Sequence, residues 1–169
     1  MVKILIENNQ LQLMLSRLAH QIIEQEENMD RLVFVGIQPR GIYVLQRILA
    51  ELQKITNQPI QSGVLDITFY RDDVREELHN AKQTTLQDIT GKKVILIDDV
   101  LYTGRTIRAA LDALQDFGRP SKVELAVLVD RQFSRELPIQ PDYLGMAVNT
   151  KANQKIKADW EKGQVYLYE

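Results

Sequence analysis

The sequence predicts an α/β fold, a mostly parallel twisted sheet flanked by helices on both faces. Three observations carry this. The apolar runs 32–37 and 94–97, and 123–129 apart from Glu124, are continuous rather than alternating, the pattern of strands buried on both faces. Leu11, Met14, Leu15, Leu18 and Ile22 recur at helical spacing. Strand and helix alternate along the chain, as a parallel sheet requires, because each crossover between parallel strands needs a covering element.

Element by element, residues 2–6 read as a short strand, and an amphipathic helix runs from about Asn9 to Glu27. Leu32 to Ile37 forms a strand that ends in the loop Gln38-Pro39-Arg40-Gly41, and a helix follows to about Thr56. Val64 to Tyr70 alternates in part and reads as a strand leading into a polar stretch, Arg71 to Gly91, without an apolar period. The run Val94 to Ile97 ends in Asp98 and Asp99; a small-polar loop and a helix come next, stopped by Gly118 and Pro120. Val123 to Val129 is another buried strand, and shorter strands near 144–148 and 165–168 close the chain. No repeat or linker divides the 169 residues, so 1–169 read as a single domain.

Hydrophobic content of 44% and charged content of 26% are those of a soluble globular protein. The chain has no cysteine, which excludes disulfides and thiolate metal sites. A net charge of −2 excludes a wholly basic nucleic-acid binder and leaves room for a local basic patch. The apolar start, Met1 to Ile6, is too short for a secretory signal, and no run approaches transmembrane length. A cytoplasmic protein with no membrane partner is expected.

The most specific signal is Val94-Ile95-Leu96-Ile97-Asp98-Asp99-Val100-Leu101-Tyr102-Thr103-Gly104-Arg105-Thr106. Open α/β sheets bind ligands beyond the carboxyl ends of such strands. Two adjacent acids there suit a helix cap, and they also accept hydrogen bonds from the hydroxyls of a sugar. Thr103, Gly104, Arg105 and Thr106 would open a helix, with N–H groups and the positive dipole end turned to an anion. A ribose carrying a 5-phosphate needs both features side by side.

This segment resembles the phosphoribosyl diphosphate signature of type I phosphoribosyltransferases. Its wording, Asp98-Asp99-Val100-Leu101-Tyr102-Thr103-Gly104-Arg105-Thr106, is most similar to the bifunctional pyrimidine-operon attenuation regulators that are also uracil phosphoribosyltransferases. The likeness extends through residues 35–42, 66–73 and 125–131 and ends with Arg135-Glu136-Leu137-Pro138-Ile139, covering most of the chain in the family's order. It implies the type I phosphoribosyltransferase fold with a flexible hood over about residues 66–91. It also implies that Asp98 and Asp99 act on the ribose. Pro39, Arg40 and the loop Val100, Leu101, Tyr102, Thr103, Gly104, Arg105 and Thr106 would bind the rest of phosphoribosyl diphosphate. Breaking the bond from C1 to diphosphate leaves positive charge on the sugar, which carboxylates stabilise. Mg²⁺, held mainly by diphosphate and ribose oxygens rather than by a protein cage, would neutralise the leaving group.

The resemblance makes Gln38-Pro39-Arg40-Gly41 the diphosphate loop, which turns through a cis peptide in the family. Here the bond precedes proline, where cis costs only ~0.5–1 kcal/mol, so Gln38–Pro39 is expected to be cis. Otherwise the segment is a plain trans-proline turn. Arg71 opens the implied hood, which would exclude water from the diphosphate, and Lys82 is its candidate basic residue; a solvated charge run is the plain alternative. Base recognition is implied after the strand that ends at Asp130-Arg131. There the family's Gly-His pair is replaced by Gln132-Phe133-Ser134. Arg131, Phe133 (as a stacking ring) and the backbone near Val148 make up the expected base pocket.

Ser16, Arg17 and His20 cluster with Leu13 opposite the apolar stripe of the first helix. Ser16-Arg17-x-x-His20 resembles the RNA-contacting part of the attenuation regulators; without that likeness it is a solvated helix face. Glu24, Glu26 and Glu27 continue the helix with negative charge, while Lys151, Lys155 and Lys157 either enlarge a basic surface or keep the chain soluble. The implied activity converts uracil and phosphoribosyl diphosphate to uridine monophosphate (UMP) and diphosphate. UMP-dependent binding of pyrimidine-operon leader mRNA would accompany it, in a homodimer or larger homo-oligomer. The alternative is a phosphoribosyltransferase for a purine base without an RNA role.

Overall fold

The computed structural model describes residues 1–72 and 84–169. Its elements are β1 (Val2–Ile6), α1 (Asn8–Ile23), β2 (Leu32–Ile37), α2 (Gly41–Ile55), β3 (Gln61–Leu65), β4 (Lys93–Leu101), α3 (Arg105–Leu114), β5 (Lys122–Gln132), β6 (Tyr143–Asn149), β7 (Lys155–Asp159) and β8 (Gln164–Tyr168). Five strands form a wholly parallel sheet in the order β3-β2-β4-β5-β6. The expected parallel sheet is therefore present. A second sheet, antiparallel in the order β1-β8-β7, joins the two ends of the chain.

Continuous apolar runs are explained by burial on both faces. Val33, Val35, Ile37, Val94, Leu96, Leu125 and Val127 pack with Ile107, Ala110, Ala113 and Leu114 of α3. The alternate residues, Phe34, Ile95, Ile97, Ala126 and Leu128, pack with the stripes of α1 and α2. Phe34 is fully buried, and truncating such a ring costs roughly 3–5 kcal/mol. The stripe of α1 faces inward as expected, through Leu11, Leu15, Leu18, Ala19 and Ile22.

Several boundaries differ from the sequence reading. Helix α1 stops at Ile23 instead of Glu27. The three glutamates beyond it would crowd the negative end of the helix dipole, and Glu26 instead turns to pair with Lys93 on β4. The strand expected over Val64 to Tyr70 lies earlier, at Gln61–Leu65. Asp66 bends the chain there: its Oδ1 accepts from the Thr68 amide at 2.8 Å and the Thr68 hydroxyl at 2.6 Å, starting a tight turn over Thr68–Tyr70. β4 does not end at the acids but continues through them to Leu101, and β5 runs on to Gln132. β7 was not anticipated at all. Among the described residues, no helix is long and apolar enough to cross a membrane.

Candidate active site

The strand order sets the site. The chain passes from β2 outward to β3, then crosses back to β4 on the other side of β2. Loops leaving the carboxyl ends of β2 and β4 therefore diverge, and a crevice opens between them. A cleft of about 520 Å³ lies there, lined by Gln38, Pro39, Arg40, Arg71, Asp98, Val100, Leu101, Tyr102, Thr103, Gly104, Arg105, Thr106 and Arg131, together with Ile37, Ile107, Glu136, Lys155, Ile156 and Lys157. The structure thus brings together most of the residues singled out in the sequence.

On the β2 side, the Gln38–Pro39 bond is cis, as expected. Gly41, the first residue of α2, packs so closely on β4 that a Cβ would collide with the Ile97 carbonyl. On the β4 side, Tyr102, Thr103 and Gly104 turn the chain into α3. Gly104 has φ 93°, a left-handed conformation that favours glycine. The first turn of α3 presents its N-terminal end to the cleft.

A second segment holds this loop in shape. The Thr103 carbonyl accepts from the amides of Glu136 (2.9 Å) and Leu137 (3.2 Å). Arg135 donates to the Tyr102 carbonyl at 2.5 Å, the Ile139 carbonyl at 2.7 Å and the Asp130 carboxylate at 2.6 Å. Arg105 pairs with Glu136 at 2.5 Å and with Asp72 at 3.2 Å, so the described start of the expected hood is tied to the loop. Arg135 opens the Arg135–Ile139 segment, and its fork geometry at three acceptors shows why an arginine stands there.

The two acids occupy different positions because adjacent strand residues point to opposite faces. Asp98 lines the cleft, and its Oδ1 accepts from the Asp99 amide at 2.9 Å. Burial, and then the charge of Asp99, push the Asp98 carboxyl well above the ordinary carboxylate range. Asp99 is not among the lining residues. It is 1% exposed, its Oδ1 accepts from the Val100 amide at 2.7 Å, and its Oδ2 has no hydrogen-bond partner. Nε of Arg40 lies 3.4 Å from that oxygen, so a cleft-lining guanidinium covers it.

The expected base pocket is only partly assembled. Arg131 lines the cleft: its guanidinium stacks 3.8 Å from the centre of the Tyr102 ring and donates to Thr150 Oγ1 and the Lys151 carbonyl. Phe133 is 92% exposed and does not line the cleft. Its backbone, at φ 61°, turns out of β5 just after the strand ends and carries the ring away. Val148, whose backbone was expected to close the pocket, pairs with Arg131 across the sheet and is not among the residues that line the cleft. Lys155, Ile156 and Lys157 were missed as cleft residues. Their signal, two lysines flanking one apolar residue, is the alternation of a half-buried strand. Lys82 lies outside the described residues.

On α1, Arg17 donates to the carbonyls of Leu144 (3.1 Å) and Gly145 (2.6 Å) on β6. His20 is exposed, with Nδ1 2.8 Å from the Ser16 carbonyl. These three residues share a surface away from the residues that line the cleft. No group of three or more His, Asp or Glu that could hold a metal occurs among the described residues.

Comparison with known proteins agrees with this geometry. The model of the phosphoribosyl transferase domain matches residues 2–160. A protein of Latilactobacillus sakei subsp. sakei (strain 23K) named Bifunctional protein PyrR is 49% identical over 162 residues, covering 93% of this chain and 90% of that one. Its namesake from Bacillus cereus (strain AH820) is 44% identical over 164 residues, covering 94% and 91%. Among solved structures, a hypoxanthine phosphoribosyltransferase from Staphylococcus aureus superposes with a TM-score of 0.70 at 21% identity, covering 87% of this chain and 77% of that one. A hypoxanthine-guanine phosphoribosyltransferase from Bacillus anthracis gives 0.67 at 20% identity, covering 89% and 85%. At such identities the solved structures speak for the fold alone.

Proposed function

This chain belongs to the phosphoribosyl transferase domain family, and from that premise we propose that it transfers the ribosyl phosphate of phosphoribosyl diphosphate to uracil, giving UMP and diphosphate. The observation that carries this is the meeting of Asp98 with the Tyr102–Gly104 turn and the start of α3 in one crevice. The 5-phosphate sits on the amides of that turn and on the helix end. Asp98 holds the ribose hydroxyls and faces the positive charge that develops at C1. The diphosphate draws Arg40 toward itself, uncovering the second oxygen of Asp99 for a hydroxyl or a metal. Gln38 and Gly41 shape the backbone of that loop, and Arg71 adds charge beside it.

Mg²⁺ fits this donor set. Two carboxylates with hard oxygens stand at the site, one of them with a buried oxygen that makes no hydrogen bond and faces only Arg40, and a protein cage is not needed for an ion that arrives on diphosphate. It supplies charge neutralisation of the leaving group. Incubation of the purified protein with radiolabelled uracil, phosphoribosyl diphosphate and Mg²⁺ tests the activity; absence of labelled UMP sinks it. Competition among uracil, hypoxanthine and guanine decides the base, and preference for a purine would overturn the assignment.

The similarity to proteins named bifunctional supports a second role, UMP-dependent binding of pyrimidine-operon leader RNA through the face that carries Ser16, Arg17 and His20. A nucleotide that orders the cleft would raise RNA affinity by linkage. A gel shift with leader RNA, with and without UMP, is the test; no shift at moderate salt removes this role and leaves the enzyme untouched. The reading also takes the protein as a cytoplasmic homodimer or larger assembly, with Leu13 (73% exposed) on a covered surface. Light scattering at the mass of a single chain would exclude assembly.

A further inference from the structure

The turn that leaves β4 is held by its carbonyls. Arg135 donates through Nη1 to the Tyr102 carbonyl at 2.5 Å, and the amides of Glu136 and Leu137 donate to the Thr103 carbonyl at 2.9 and 3.2 Å. The Tyr102–Thr103 and Thr103–Gly104 bonds are both trans, so each N–H points opposite to the carbonyl of its own peptide unit. Thr103 and Gly104 line the cleft, whereas Arg135 and Leu137 do not. Holding the two carbonyls from outside therefore turns the Thr103 and Gly104 amides inward. Among the described residues neither amide donates to another group. The Thr103–Gly104 unit is fixed by backbone donors that no side-chain change removes. The Tyr102–Thr103 unit depends on one guanidinium.

That guanidinium is itself held. Its Nη2 pairs with the Asp130 carboxylate at 2.6 Å and its Nε donates to the Ile139 carbonyl at 2.7 Å, so all three nitrogens are engaged. Asp130 is buried in the central sheet, directly across from Leu101, the residue before the turn. Its carboxylate neutralises the arginine outside the cleft, so the charge of Arg135 is not what a ligand meets. We propose that Arg135, oriented by Asp130, is a positioning residue for the 5-phosphate: by holding the Tyr102 carbonyl it keeps the Thr103 amide aimed at that group. The inference rests on the phosphoribosyl reading above. Without the strut, the peptide plane swings about the soft torsions on either side of it. The flipped unit would present a carbonyl oxygen to an anion, and a donor becomes a repelling dipole. The loss falls on the 5-phosphate, because the diphosphate loop after β2 and the base side of the cleft make no use of this peptide.

Arg135→Gln should raise the KM for phosphoribosyl diphosphate about tenfold, the worth of one charge-assisted hydrogen bond, and leave kcat and the KM for uracil within about threefold. Arg135→Lys should be nearly as impaired, because one ammonium cannot replace a planar fork. A lysine variant with the wild-type KM would make Arg135 a simple charge and overturn the inference. Calorimetry gives a readout apart from turnover. UMP, which carries the 5-phosphate, should bind the glutamine variant about tenfold more weakly, while inorganic diphosphate with Mg²⁺ should bind it as it binds the wild type. Equal losses for both ligands, or none, overturn the inference and leave the uracil activity in place. Should Arg135→Gln fail to fold, Asp130→Ala carries the test, since it removes the acceptor that orients Nη2. Its severalfold loss should fall on phosphoribosyl diphosphate alone; no loss, or one shared with uracil, overturns the inference. A wild type that binds neither UMP nor phosphoribosyl diphosphate overturns the functional reading and this inference together.

Discussion

Burial, with the adjacent Asp99 charge, holds the Asp98 carboxyl well above its ordinary range, so ionising it in the ligand-free protein costs free energy. An acid with a raised value in the folded state binds its proton more tightly there. Its contribution to stability therefore declines as pH climbs from the ordinary carboxylate value through the raised one. Asp98→Asn keeps an oxygen for the Asp99 amide and removes the charge. At pH 7 the variant should melt a few degrees higher, since each kcal/mol moves a chain of this size by about 2–4 °C. Turnover should fall by about 100-fold or more. A variant that melted lower with normal turnover would contradict both the burial argument and the ribose assignment. Asp99→Asn should lower turnover far more than stability, because its second oxygen has no hydrogen bond to lose; an unchanged rate would remove Asp99 from the reaction.

The Tyr102–Gly104 turn depends on its glycine and on the segment folded over it. At φ 93° a Cβ on Gly104 is strained whatever space surrounds it, and its neighbours, Ile139 and Leu137, belong to that covering segment. Gly104→Ala should destabilise by more than about 1 kcal/mol and raise the KM for phosphoribosyl diphosphate severalfold. Calorimetry and initial rates measure the two effects, and a variant normal in both would show that the turn is not the phosphate cradle. The acids and the turn were legible in the sequence because the chemistry sits in thirteen consecutive residues. The wall opposite was not: β7 pairs with β8, and β8 with β1 from the far end of the chain. Such pairing leaves little local pattern. Phe133 misled for a related reason. An aromatic residue after a buried strand suggests stacking, but one backbone torsion at φ 61° decided where the ring points.

At the opposite end of the parallel sheet from the cleft, a polar cluster ties four elements together. Glu124 of β5 accepts from Lys122 (2.6 Å), from Lys93 of β4 (2.9 Å) and from the Tyr143 hydroxyl of β6 (2.7 Å), while Lys93 also pairs with Glu26 beyond α1. Burial alone would raise the Glu124 carboxyl, but those three hydrogen bonds outweigh it and bring it from 4.5 down to about 2. A depressed acid stabilises the fold above its unfolded value, and that contribution drains away as pH falls from 4.5 toward 2. The Glu124 share of the urea midpoint should therefore be lost as pH falls below 4.5. Glu124→Gln should cost about 1.5–3 kcal/mol at neutral pH, since it removes the charge from three hydrogen bonds while half-buried Lys93 keeps Glu26, and should flatten the acid limb. A mutant limb as steep as the wild type would assign the acid sensitivity to other carboxylates.

The parallel sheet, the order of its motifs and the loop that faces the sugar phosphate were all written in local patterns. Continuous apolar runs, a helical stripe and a contiguous signature need no distant partner to be recognised. Where each acid points, which cations are already neutralised, and which strand closes the far wall depend on residues up to 166 positions apart in the chain. Those outcomes are set by strand pairing and burial, whose free energies arise only once the segments have met.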